Sequence, residues 1–266
     1  MTPISVVIIT KNEADSIARC IKACRLISDD IIVVDNESTD GTASIAFRKG
    51  CYVYHEDWDG YGANKNKGID YAKHDWILSI DADEMPDEEL IRDLRNLTLH
   101  NREVVYDIAF KSYYGKKIIR FGAWGRDHHI RLFNRQLVRW NEPPVHESLI
   151  LSPVIKVKKL KGHIHHFSVK DNQECYGKTV HYAKLSAEKY FLFGERGSLV
   201  KLYLAPAFHF FKNYIIFLGF LDGREGWQIA RSIARHTFLK YRLLQKLTKS
   251  SYPESHAVKD NLVVEY

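Results

Sequence analysis

The stretch Ile4-Ser-Val-Val-Ile-Ile-Thr10, followed at once by Lys11-Asn12-Glu13, is a β-branched run that breaks off into polar side chains. Such a run reads as a strand, and the segments on its C-terminal side decide the fold. From Glu13 to about Leu26 the spacing of Ile17, Ile21 and Cys24 predicts a helix, and Asp30-Ile-Ile-Val-Val-Asp35 predicts a second strand. Strand, helix and strand in this order are the mark of βαβ units on a parallel sheet.

The alternation continues. Thr42 to Lys49 reads as a helix stopped by Gly50, which suits a left-handed C-terminal cap. Cys51-Tyr-Val-Tyr-His55 is a third strand, Asn64 to Lys73 a helix, and Trp76-Ile-Leu-Ser-Ile80 a strand ending at Asp81. Pro86-Asp87-Glu88-Glu89 is expected to open another helix, where Pro is tolerated and the dipole favours acids. From Val104 the pattern changes to period two, with Val104, Tyr106, Ile108 and Phe110 on one face, which predicts a mixed or antiparallel second half of the sheet. Beyond Asp171 the chain reads as helices to about Leu247, then a polar terminus. The predicted class is α/β, a mixed sheet flanked by helices with a helical C-terminal extension. The expected units are residues 1–170, 171–249 and 250–266.

A chain of 266 residues, 45% hydrophobic and 27% charged, has ample material for a core and is not a disordered composition. Its 39 basic and 33 acidic residues give a net charge of +6, which favours anionic partners without naming one. Cys20, Cys24, Cys51 and Cys175 lack paired CxxC spacing, so reduced, buried thiols are expected rather than a zinc or disulfide framework. Met1 leads straight into the first strand with no basic n-region, and the expected location is the cytoplasm.

Ligands of open α/β sheets gather beyond the carboxyl ends of the strands. Three polar clusters lie at such ends: Thr10 to Glu13, Asp35 to Gly41, and Asp81-Ala82-Asp83-Glu84. Two carboxylates one residue apart suit a hard divalent cation shared with diphosphate oxygens and water. A lone Asp-x-Asp is a weak sign, because acids after a strand often only solvate a loop. The sequence has no GxGxxG after the first strand and no GxxxxGK[ST], which argues against a classical dinucleotide or P-loop site.

Ser5 to Glu13, Ile31 to Thr42 and Trp76 to Glu84, taken in this order, resemble the family 2 glycosyltransferases, over about the first 150 residues. The resemblance implies a GT-A (Rossmann-like) fold that binds a nucleotide-sugar. It implies that Thr10, Lys11, Asn12, Glu13 and Asp35 hold the uridine end, and that Asp81, Ala82 and Asp83 meet the ribose and an Mn²⁺ or Mg²⁺ ion, with Asp83 and Asp81 as metal ligands. Lys65, and Lys67 beside it, resemble the basic segment that approaches the diphosphate. Asn36 departs from the pattern, since many members carry a second Asp there.

Downstream, Trp124 to Phe133 and Val145-His146-Glu147 look like the acceptor half of relatives that act on lipopolysaccharide cores. Trp124, Arg131 and His146 are placed on the acceptor side. Glu147 is the candidate general base for an inverting displacement, in which one base takes the proton of the attacking hydroxyl. His165 or His166 is a candidate to complete the metal shell. The expected activity is metal-dependent transfer of glucose or another hexose, from a UDP-linked donor, to a glycan or lipid-linked acceptor.

The segment 199–221 is rich in Phe, Tyr, Leu and Ile but is broken by Lys201, Pro206, His209 and Lys212, so it makes a poor membrane span. With Phe217 to Trp227, which resembles the C-terminal extension of lipopolysaccharide-core glucosyltransferases, it is assigned a contact with the lipid-linked acceptor, a membrane surface or a second subunit. Peripheral attachment to the inner face of the cytoplasmic membrane would result. Nucleic acid is not an expected partner. Two rival readings are a nucleotidyltransferase of related α/β fold and a non-enzymatic basic protein binding membrane or single-stranded nucleic acid. The first usually has a Gly-rich loop near the first strand, which Thr10 to Glu13 lacks, and the second would show salt-sensitive binding without nucleotide-sugar affinity.

Overall fold

The computed structural model describes residues 3–142 and 147–250. Its centre is a mixed sheet built on β1 (Ile4–Thr10), β2 (Ile31–Asp35), β3 (Tyr52–His55) and β4 (Trp76–Asp81), which lie parallel in the order β3-β2-β1-β4. Every residue of β1 and β2 is buried, so each apolar run serves both faces. Ile4, Val6 and Ile8 point into one core with Ile17, Ile21 and Cys24 of α1 (Ile17–Cys24). Val7 and Ile9 point to the other, against Ile69 of α3 (Tyr61–Tyr71). Burying each such side chain contributes about 1.5–3 kcal/mol. α2 (Thr42–Arg48) links β2 to β3.

Two helices differ from their expected limits. α1 begins a turn later than Glu13, because Lys11 to Ser16 form a strand-end loop in which Asn12 has φ of 56°. α3 begins at Tyr61 rather than Asn64, directly after Gly60 at φ of 108°. Pro86 does not open a helix. It ends the short strand β5 (Glu84–Pro86), and Asp87 caps α4 (Glu88–Asn96) by accepting the Leu90 N–H at 2.9 Å.

The second half of the sheet is formed by β6 (Val104–Tyr114), β8 (His128–Asn134) and β11 (Lys156–Val169), with β7 (Lys117–Ile118) on the edge of β6. β8 runs antiparallel to β4 and β6, β11 runs parallel to β6, and β5 closes the edge antiparallel to β11. The mixed second half expected from period two is therefore present. β9 (Arg139–Trp140) and β10 (Leu149–Ile150) make a separate hairpin.

The helical extension contains α5 (Asn172–Leu192), α6 (Leu199–Phe211) and α7 (Gly223–Ser250). Asp171 caps α5 through the Gln173 and Glu174 N–H groups. Ala187, Leu202, Tyr241 and Leu244 form the core of the extension, and Tyr114, Ile119, Val169, Cys175 and Ile229 join it to the sheet. All four cysteines are buried free thiols.

Candidate functional site

The carboxyl ends of β1, β2 and β4 open on a cavity of about 790 Å³. Its near wall includes Thr10, Lys11, Glu13, Asp81, Ala82 and Asp83. β1 and β4 are neighbours in register, with Ile9 opposite Asp81, so two of the polar clusters are brought together by strand pairing alone. β1 and β2 do the same for Thr10 and Asp35.

Several acceptors at this end are buried without hydrogen bonds among the described residues: Thr10 Oγ1, Asp35 Oδ1 and Asn36 Oδ1. A buried unpaired polar atom costs about 1–3 kcal/mol, so such a cluster calls for a donor. The other oxygen of Asp35 is engaged, accepting the Ser38 N–H at 3.2 Å and lying 3.3 Å from His55 Nδ1. Asn12 faces the loop rather than the cavity. Its backbone N–H donates to Ser38 Oγ at 2.8 Å and its Oδ1 accepts the Thr39 N–H at 2.8 Å, tying the first two strand ends together. Glu13 accepts from Ser16 Oγ; burial pushes its carboxyl up, the Ser16 bond opposes this, and nearby Asp83 adds to it.

The acidic strand end rests on a buried charge network. Arg131, 5% exposed, donates to Asp81 Oδ2 at 3.2 Å and to Glu84 Oε1. Glu84 Oε2 in turn accepts the Asp81 N–H at 3.0 Å. Lys65, 3% exposed, lies 3.4 Å from Asp81 Oδ1, donates to Glu147 Oε1 at 2.7 Å, and sits 4.6 Å from the Trp140 ring centroid. Burial alone would raise the Asp81 carboxyl, but Lys65, Arg131 and His166 hold it well below the usual carboxylate range. Glu84 goes the other way, raised by burial and by the charge of Asp81 against the pull of Arg131.

His166 Nε2 lies 3.4 Å from Asp83 Oδ2. Burial favours the neutral imidazole, yet Asp83, then Glu84 and Asp81, raise its pKa to about 9. His165 points elsewhere, its Nδ1 2.8 Å from Tyr113 Oη, and it does not line the cavity. Among the described residues no group of three or more His, Cys, Asp or Glu side chains forms a ready metal cage.

The far half of the cavity is made by the extension and by Trp124, with Lys178, Thr179, Tyr182, Ser232 and His236 contributing. Tyr61 Oη and Tyr182 Oη, 3.0 Å apart, join α3 to α5 across it. Asp127 also lines this half, its carboxylate 3.0 Å from His129 Nε2.

Of the residues singled out in the sequence as site candidates, Thr10, Lys11, Glu13, Asp81, Ala82, Asp83, Trp124 and His166 line the cavity. Asp35 and Lys65 are buried beside it, and Arg131, expected on the acceptor side, lies beneath the acidic strand end as its counter-charge. Glu147 meets Lys65 and is outside the cavity lining. His146 lies outside the described residues. Sequence reasoning left Glu84 without a role, quoted Asp127 only within the stretch Trp124 to Phe133, and missed Trp58 and Tyr61 at the entry to α3 and Tyr182 on α5, far apart in sequence from that pair.

Three polar strand ends, each carrying acids, surround one cleft at the carboxyl edge of an α/β sheet. Residues 5–150, more than half of the chain, match the model of glycosyl transferase family 2, and the chain belongs to that family. An uncharacterized glycosyltransferase of Rickettsia typhi is 30% identical over 263 residues, covering 94% of this chain and 89% of that one. The lipopolysaccharide core biosynthesis glycosyltransferase LpsC of Rhizobium meliloti is 28% identical over 224 residues, covering 80% of each. Among solved structures, S. aureus TarS aligns over 97% of this chain and 95% of that one, at 14% identity and a TM-score of 0.46.

Proposed function

We propose that this glycosyltransferase moves a hexose, with inversion, from a uridine diphosphate-linked donor to a saccharide of the lipopolysaccharide-core type, and that it uses a divalent cation. The observation that carries the donor reading is the set of buried oxygens at Thr10, Asp35 and Asn36 that have no partner among the described residues, one wall away from Asp81 and Asp83. A pyrimidine base and a ribose bring the donors those oxygens need. The acceptor class rests on the name of the Rhizobium relative.

The residues present fit a cation. Asp83 and Asp81 are hard oxygen donors on the cavity wall, and the described residues offer too few ligands for a closed cage, as suits Mg²⁺ or Mn²⁺ shared with diphosphate oxygens and water. Asp83 would hold it, with Asp81 toward the ribose. When bound, such an ion supplies Lewis-acid stabilisation of the leaving diphosphate. Lys65 and Arg131 fix the orientation of Asp81, and His166 fixes that of Asp83. Glu147, held by one oxygen on Lys65, is assigned the proton of the acceptor hydroxyl. Orientation of that hydroxyl against the anomeric carbon supplies much of the rate.

The exposed apolar surface of residues 199–221 is assigned to a membrane that carries the lipid-linked acceptor. No single helix among the described residues is long and apolar enough to cross a membrane, and Leu199–Ile216 and Gly219–Ser250, which together would be, are bent by 71°.

A panel of nucleotide-sugars, with and without Mn²⁺, tests the reading by hydrolysis and thermal stabilisation. Uridine diphosphate compounds with Mn²⁺ should raise the Tm of the wild type, and Asp83→Ala should remove the metal-dependent part. Glu147→Gln should bind the donor and lose transfer. If no uridine or thymidine diphosphate compound stabilises the protein, the donor assignment is lost.

A further inference from the structure

Trp124, which walls the far half of the cavity, stands on a stretch with few backbone bonds of its own. Between β7 and β8 the chain forms only the three-residue 3-10 turn Trp124–Arg126. Gly122 there has φ of 69°, and a Cβ on Gly125 would lie 2.2 Å from the Arg120 carbonyl, so the loop is folded tightly on itself.

Its backbone donors are answered from the extension. Asp222, 4% exposed, accepts the Arg120 N–H at 3.1 Å and the Phe121 N–H at 2.8 Å on Oδ2. The Gly122 N–H donates to the Phe217 carbonyl at 2.9 Å, and the Ala123 N–H to Asn213 Oδ1 at 3.1 Å. Asn213 is itself held, its Nδ2 donating to the His209 carbonyl at 2.9 Å. Consecutive amides from Arg120 to Ala123 are thus all bonded to the segment 213–222. That segment has no slack, since a Cβ on Gly226 of α7 would lie 1.8 Å from the Gly219 carbonyl oxygen.

A carboxylate is the side chain that suits this place. Its oxygens only accept: Oδ2 takes both N–H groups and Oδ1 also faces the Arg120 N–H at 3.3 Å, where an amide would turn its NH₂. Trp124 lines the cavity and packs beside Tyr114, their ring centroids 6.2 Å apart, and an indole there suits the C–H face of a saccharide ring.

We propose that Asp222 is a positioning residue for the acceptor: by holding the Arg120 and Phe121 amides it sets the Trp124 ring against which the acceptor saccharide packs. This rests on the sugar-transfer reading proposed for the site. It also gives the extension a part in the reaction beyond packing.

The test uses the full chain, amide hydrogen exchange over residues 119–124, uridine diphosphate binding, and transfer from a labelled uridine diphosphate hexose to deacylated lipopolysaccharide core saccharide. Asp222→Asn should speed exchange of the amides at 120 and 121. It should leave nucleotide binding and donor hydrolysis as in the wild type and raise the acceptor KM about tenfold, with a much smaller change in kcat. Trp124→Ala should raise the acceptor KM as well, and adding Asp222→Asn to it should bring no further loss. Asn213→Ala keeps the carboxylate and should show a weaker acceptor defect; it carries the test if Asp222→Asn does not fold. Wild-type transfer with an acceptor KM unchanged in these variants, or additive effects of the Asp222 and Trp124 changes, overturns the positioning role alone. A wild type that neither binds uridine diphosphate nor transfers overturns both readings.

Discussion

Arg131 shows how one buried side chain organises the acidic strand end. It lies on β8, 50 residues from Asp81 and 47 from Glu84 in sequence, and its guanidinium meets both. Removing one member of a buried ion cluster leaves the others uncompensated in a poorly solvating interior, which typically costs about 3–5 kcal/mol. Arg131→Met should therefore lower the urea midpoint by a loss in that range, and Arg131→Met combined with Glu84→Gln should recover part of it. A double variant as unstable as the single one would show that Glu84 does not depend on Arg131. The carboxylates themselves were legible, because they come directly after an apolar strand and keep company with two other polar strand ends. Their counter-charge was not. An Arg in the middle of Ile130-Arg-Leu-Phe133 shows nothing in the sequence of the direction its side chain takes, and the same holds for Lys65, read as an approach to diphosphate and found between Asp81 and Glu147.

At the scale of elements, α3 decides where Glu147 lies. Gly62 packs so closely on the loop after β9 that a Cβ there would lie 1.9 Å from the Asn141 carbonyl oxygen. Asn66, one turn on, holds the same hairpin through the Trp140 N–H at 3.1 Å and the Trp140 carbonyl at 3.0 Å. Gly62→Ala should push the hairpin from the helix and cost about 1–3 kcal/mol, as overpacking does. A circular-dichroism melt reads the stability, and weakened transfer with intact donor binding reads the displacement of Glu147. A Gly62→Ala protein with wild-type Tm and transfer would mean that the hairpin can move without consequence. The parallel half of the sheet was readable because β-branched runs alternate with helical spacing. The order of β8, β6, β11 and β5 was not, since a strand such as β11 pairs in parallel with β6 and antiparallel with β5, and period two cannot state a partner. The start of α1 moved for a related reason: the strand-end loop from Lys11 to Ser16 also satisfies the spacing of a helical face.

For the whole molecule, the extension joins two surfaces. Its inner side completes the cavity through α5 and α7, and the segment 213–222 holds the Trp124 loop. Its outer side exposes Leu204, Phe208, Phe211, Ile216 and Leu221, each more than half exposed. Arg126 and Lys212 lie over the Phe217 ring at 4.6 and 5.2 Å beside this face. Apolar side chains rimmed by cations are the composition of an interfacial helix on an anionic bilayer, and contiguous apolar surface of this kind seldom faces water without a role. The net charge of +6 acts in the same direction. Each large apolar side chain transferred from water contributes about 1.5–3 kcal/mol, so Leu204→Asp with Phe208→Asp should lower partition into phosphatidylglycerol-containing vesicles on the order of 100-fold. Uridine diphosphate binding should stay as in the wild type, because these residues lie outside the cavity. Flotation with vesicles of neutral and anionic composition reads the result, and high salt should weaken the anionic case. If the wild type floats with neither and sediments as a dimer that the double variant converts to a monomer, this face joins two copies of the chain, and the lipid-linked acceptor must reach the cavity without it.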